Sequence, residues 1–155
     1  MLNRRLMTRF SIAAMAFAAV AAVTGCGMAP TAKSTNLVAL STQLRGTNEV
    51  PPNKSAATGS VDAVFNKDTN LLRWKVNYTG LSGPATAGHF HGPAGVTANA
   101  GVVLPWAGPM STPMEGSATI TPTQAGDLLA GLWYANVHTA ANPGGEIRGQ
   151  MMIRN

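Results

Sequence analysis

The chain of 155 residues carries 11 Lys and Arg against 6 Asp and Glu, with 17 Gly, 10 Pro and a single Cys. Three of the basic residues, Arg4, Arg5 and Arg9, stand in the first nine positions; without them eight face six, a net charge of +2, and no basic run remains. That balance gives nucleic-acid binding no support, and one cysteine excludes an intrachain disulfide.

The N-terminal stretch has the layout of an export signal. Behind the three arginines, Ile12 to Val23 is apolar or small throughout, the length of a signal-peptide core and short for a membrane span. Val23-Thr24-Gly25-Cys26 resembles a bacterial lipobox: an aliphatic residue, two small ones, then the cysteine that is diacylated and becomes the new N-terminus. An ordinary secretory signal cut nearby is the alternative. Arg4-Arg5 lacks the surroundings of a twin-arginine signal. The expectation is therefore a lipoprotein signal peptide over residues 1–25, lipidation of Cys26, and a flexible tether over 26–36 rich in Gly, Pro, Ser and Thr. Such a chain is exported to the bacterial cell envelope, periplasmic or outer-membrane associated, with the lipid on Cys26 making the membrane its first partner. Gly27 in place of aspartate favours the outer membrane. Residues 37–155 remain, 119 in all, enough for one domain with its own core.

Short strands fill that domain. Leu37 to Leu44 alternates loosely; Gly46 to Pro52 ends the pairing with two prolines. Thr58 to Phe65 and Leu71 to Tyr78 flank the polar turn Asn66 to Asn70 and predict an antiparallel hairpin, with Leu72, Trp74, Val76 and Tyr78 on one face. Gly80 to Pro84 breaks the chain. Thr86 to His91, Val102 to Leu104 and Met114 to Ile120 are further short strands, and Trp106 falls in an irregular stretch where exposure is expected. Thr121-Pro122 predicts the N-cap and first residue of a helix of about ten residues that ends at Gly131. Leu132 to His138 is the next strand. Asn142-Pro143-Gly144-Gly145 then predicts a type II turn with Gly144 at the positive-φ position, and in the last strand Ile147, Met151 and Ile153 share one face while Glu146, Arg148 and Gln150 share the other. Seven or eight short strands, frequent turn signals and one short helix predict an all-β fold: an antiparallel Greek-key β-sandwich, with a small barrel as the alternative.

Three histidines carry the chemical interest. His89 and His91, two apart on a strand, put both rings on one face and turn Phe90 to the other. His138 ends a later strand on the face it shares with Tyr134 and Asn136. If the two strands are neighbours, the three imidazoles form a site suited to copper or zinc with one position open, their nitrogens within about 4 Å of one another. The structural alternative is that these rings hydrogen-bond to backbone in the adjoining loops. Glu146 and Arg148 admit two readings: a carboxylate that ligates or orients His138, or a structural ion pair with Glu49 or Arg45. Met110, Met114, Met151 and Met152 are thioethers that suit monovalent copper, but methionine is usually core filler. No serine or cysteine has a base and an orienting partner, and no glycine-rich loop precedes the helix with phosphate-binding spacing. Nothing therefore marks an enzyme.

Several segments in order resemble the CHRD domain, named for chordin: Leu44 to Pro52, Tyr78 to Leu81, Ala87 to Ala94, Gly131 to Thr139 and Asn142 to Gln150. The resemblance implies a secreted or surface-held protein and leaves the molecular role of the bacterial members open; the expectation is a binding and interaction module, with an extracytoplasmic protein or a metal ion as partner. It does not imply chordin's growth-factor antagonism, since the chain lacks chordin's cysteine-rich modules. A fainter similarity is to copper-zinc superoxide dismutases, which also place His-x-His on a strand of a Greek-key sandwich. That enzyme's two-metal site needs more histidines and an aspartate, so the similarity implies at most a mononuclear copper or zinc site.

Overall fold

The computed structural model describes residues 36–154. The expected signal peptide, Cys26 and all but the last residue of the tether lie outside the described residues.

Among the described residues nine strands and one α-helix follow in chain order: β1 (Leu37–Arg45), β2 (Thr58–Asn66), β3 (Leu71–Thr79), β4 (Ala85–His91), β5 (Val102–Pro105), β6 (Met114–Thr119), α1 (Pro122–Leu129), β7 (Tyr134–Thr139), β8 (Ile147–Gln150) and β9 (Met152–Ile153). They form one antiparallel sheet in the order β5-β4-β7-β8-β1-β2-β3-β6, with β9 also paired to β1. The sheet folds over on itself. Phe90 of β4 and Trp74 of β3 stand five strands apart in that order. A flat sheet would separate them by about 24 Å at about 4.8 Å per strand. Instead their rings meet edge to face with centroids 5.4 Å apart. The core therefore lies between two halves of one continuous sheet, as the all-β sandwich expected from the sequence requires.

Alternation explains which residues fill it. In β3, Leu72, Trp74 and Val76 are buried while Arg73, Lys75 and Asn77 are exposed. Opposite them Val61, Ala63 and Phe65 of β2 supply the matching face in unbroken register from Thr58↔Thr79 to Asn66↔Leu71. Thr121 caps α1 as predicted, and Gln124 closes a reciprocal capping box with it. Leu128 seats the helix in the core, and Gly131 ends it with a φ of 72°.

Three local expectations are corrected. Trp106 is buried, not exposed: its ring lies 5.3 Å from Phe90 and covers Gly88, which has no side chain to keep it away. The 142–145 turn is not type II. Asn142 O accepts from Gly145 N as a tight turn demands, but the positive φ, 130°, belongs to Gly145 rather than Gly144. Glycine is favoured there by that φ, and a Cβ would also stand 2.5 Å from Glu49 Oε1. Ile153 does not continue the buried face of Ile147 and Met151. The ladder breaks at Met151, and Ile153 emerges on β9 at 46% exposure.

Candidate metal centre

The site grows from two neighbouring strands. β4 and β7 pair antiparallel, with His89 opposite Asn136, His91 opposite Tyr134, and His138 opposite Ala87. Because side chains alternate, Gly88 and Phe90 face the core while His89 and His91 face outward. On β7, Ala135 and Val137 face the core while Tyr134, Asn136 and His138 face outward. Arg148 of β8, opposite Asn136, extends the same outer face. That face is only partly open to solvent: His89 and His91 stay half-exposed. Loop 92–101, the 46–53 loop and the 139–146 turn cover the rest, so that Asn136 is 3% exposed, His138 9% and Arg148 1%.

The three histidines converge. His89 Nδ1 lies 3.1 Å from His138 Nε2, and one ligating atom from each of His89, His91 and His138 lies within 4.8 Å of the others. This is wider than the 4 Å a filled site calls for. The pair His89–His138 already has the roughly 3.3 Å edge of a tetrahedron with bonds of about 2 Å, leaving His91 to close in by about 1.5 Å. His91 stands back because its Nδ1 is tied to Ala100 O at 3.0 Å and its ring stacks parallel on Tyr134, centroids 4.8 Å apart.

Backbone carbonyls fix the tautomers. Ala100 O faces His91 Nδ1, and Pro143 O faces His138 Nδ1 at 2.9 Å. A carbonyl only accepts, so in both neutral rings Nδ1 carries the hydrogen and Nε2 keeps a lone pair. Burial lowers the pKa of His138, with His91 adding to it and the Pro143 bond opposing. Burial also lowers that of His89, reinforced by His138 and His91. Both shifts favour the neutral, ligating form. His91 Nε2 is buried with no hydrogen-bond partner.

Glu146 and Arg148 do not pair. Among the described residues the ion pairs are Lys75–Glu115 and Arg154–Asp62, both exposed. Glu146, fully buried, accepts from Ser55 Oγ (2.7 Å), Ser82 N (2.8 Å), Ser82 Oγ (2.6 Å) and Thr139 Oγ1 (2.6 Å), and makes no bond to His138. Burial works to raise its pKa, but these four bonds outweigh it and hold the carboxyl at about 2. Arg148 lays its guanidinium 3.4 Å from the Tyr134 ring centre, on a ring already stacked with His91. It donates to Asn99 Oδ1 at 2.8 Å and Ala98 O at 2.7 Å, pinning the loop that carries Ala100. Glu49 stands near it without a bond: burial raises the Glu49 pKa to about 7, only partly offset by Arg148. Glu49, Arg148 and Gln150 line a cavity of about 470 Å³ between the 47–52 and 96–97 segments.

Spacing alone could not supply the carbonyls of Ala100 and Pro143. Tyr134 and Asn136 were visible as sharing the His138 face, but nothing in the sequence marked them as part of a site.

An all-β sandwich with a histidine cluster under loops on its outer face is the class these features define. The family model for the CHRD domain matches residues 40–151, and the chain belongs to that family. No curated protein and no solved structure matches it.

Proposed function

We propose that this chain is a non-catalytic binding module of the bacterial cell envelope that holds a copper or zinc ion with His89, His91 and His138. The observation that carries the reading is the pair of Nδ1–H···O=C bonds to Ala100 and Pro143, which aim the lone pairs of two Nε2 atoms inward and leave that of His91 buried and unpartnered. Ligating histidines characteristically donate their other ring nitrogen to a backbone carbonyl in this way, fixing ring and tautomer together. A buried acceptor without a partner costs about 1–3 kcal/mol, which a bound cation would recover. CHRD membership suits a binding module, and the Val23 to Cys26 motif suits a lipid anchor that keeps it at a membrane, where an extracytoplasmic protein could exchange the ion.

The test is metal analysis of protein expressed without residues 1–26, after loading with copper or zinc and dialysis. One equivalent is expected for the wild type and far less for His91→Ala. Equal content in the two proteins ends the metal reading and leaves a module that acts on protein partners alone.

A further inference from the structure

Resting on the three-histidine reading, we infer that Asn136 Oδ1 is the fourth donor of the site, which makes its occupant a four-coordinate divalent ion, zinc or copper(II), rather than three-coordinate monovalent copper. Asn136 lies opposite His89 in the β4–β7 register and two residues before His138, on the same face. It is 3% exposed, and its Oδ1 stands 2.9 Å from His138 Nε2. Both atoms offer electron pairs. Pro143 O claims the Nδ1 hydrogen of His138, so neutral His138 has none at Nε2, and an amide oxygen never has one. Two acceptors facing at that distance repel unless something positive lies between them.

The amide orientation follows from its other side. A Cβ on Gly145 would stand 2.8 Å from Asn136 Nδ2 and 2.5 Å from Glu49 Oε1, so those two atoms are at most 5.3 Å apart. Glu49 Oε1 is buried and makes no hydrogen bond, so an N–H side of the amide is a better neighbour for it than a second oxygen. Kept as it stands, Nδ2 turns its hydrogens to the Glu49 side and Oδ1 turns to the histidines.

A proton shared by two of these atoms would relieve one contact. His89 Nδ1 lies 3.1 Å from the same His138 Nε2, and His91 Nε2 is buried without a partner. One metal ion among them would satisfy all four once His91 closes in. The spacings of 2.9 and 3.1 Å fall within a few tenths of an ångström of the roughly 3.3 Å ligand–ligand edge of a tetrahedral site. Three imidazoles and an amide oxygen are borderline and hard donors, which suit a divalent ion, whereas monovalent copper selects sulfur.

The full chain in detergent, its Asn136→Leu and Asn136→Asp variants, and His91→Ala are titrated with zinc and, separately, with monovalent copper. Asn136→Leu is expected to weaken zinc about tenfold or more and to leave monovalent copper nearly unchanged, while Asn136→Asp holds zinc at least as well as the wild type. In zinc-loaded wild type, the side-chain carbonyl 13C resonance of Asn136 should move on binding; this readout needs no variant to fold. A wild-type chain that binds zinc through His91 with that resonance unmoved, or an Asn136→Leu chain that binds zinc as tightly as the wild type, overturns the fourth ligand and leaves the histidine site standing. A wild type that binds neither ion overturns both.

Discussion

Replacing Glu146 with glutamine tests whether one buried carboxylate ties the end of β7 to two distant loops. In the native chain four donors from Ser55, Ser82 and Thr139 converge on it. Glutamine keeps the size and one oxygen. With its oxygen on the side of Ser55 Oγ and the Ser82 amide, those two still donate to it, the Ser82 and Thr139 hydroxyls can rotate to accept from the NH2, and every bond loses its charge. The magnitude follows from proton affinity. The carboxyl falls from an ordinary 4.5 to about 2, which at about 1.4 kcal/mol per tenfold change is at most about 3–4 kcal/mol. Glutamine recovers part of this as neutral hydrogen bonds, so a loss of about 2 kcal/mol at pH 7 is expected. For a domain of this size that is a drop of roughly 8 °C in Tm. Because the folded pKa is depressed, the contribution is fully present above about pH 4.5 and disappears as pH falls through about 2. Thermal unfolding followed by circular dichroism at pH 7, 5, 3 and 2 should show the gap between wild type and Glu146→Gln closing across that range. A variant that melts within a degree of the wild type at pH 7, or a gap that persists undiminished at pH 2, refutes the reasoning.

Glu49 predicts the opposite sign. Its folded pKa is raised to about 7, so ionisation is disfavoured in the folded state and stability falls as pH rises from about 4.5 to 7. Glu49→Gln should therefore match the wild type near pH 4 and exceed it by about 1–2 kcal/mol at pH 8 by urea unfolding; equal stability at pH 8 contradicts this. Gly88→Ala places a methyl inside the Trp106 ring, and the strain should cost about 1–3 kcal/mol and alter the near-ultraviolet spectrum of the tryptophans. An unchanged spectrum would show that Trp106 does not cover Gly88. Cys26→Ser should release the exported protein from the membrane fraction, and continued sedimentation with membranes would sink the lipid anchor.

The parts legible in the sequence are those set by short-range periodicity. The β2–β3 hairpin was readable because Leu72, Trp74 and Val76 alternate without a break and Asn66 to Asn70 can only be a turn; Asn70 even takes a φ of 53°. Helix α1 was readable because its cap, proline and terminal glycine are local signals. Trp106 was not, because its burial depends on a glycine 18 positions earlier and on the ring of Phe90, neither of which imposes a period on its own segment. The positive-φ position of the 142–145 turn falls on Gly145 rather than Gly144, and with two adjacent glycines the local sequence does not choose between them. The histidine site was half legible. His-x-His on a strand fixes two rings, but the third needs β7 beside β4, and only the strand order supplies that neighbour.

What remained hidden is what gives the site its chemistry. The strands determine where the imidazoles stand, and the loops determine which nitrogen of each holds the proton. Ala100 and Pro143 belong to no strand, yet their carbonyls set the tautomers of His91 and His138. Each loop is itself held by a residue from elsewhere in the fold. Arg148 and Tyr134 hold the 95–100 segment through Ala98, Asn99 and Ala100. Thr139 and Glu146 bracket the 142–145 turn, where Thr139 Oγ1 accepts from Asn142 N and donates to Glu146. The buried polar residues of this face thus form two clamps, one around each tautomer-setting carbonyl. Arg148 and Glu146 face opposite ends of the same cluster and need no contact with each other to serve it. A cation in the cluster would join the two clamped loops through the histidines they orient, so ion binding and the stability of both loops should rise together.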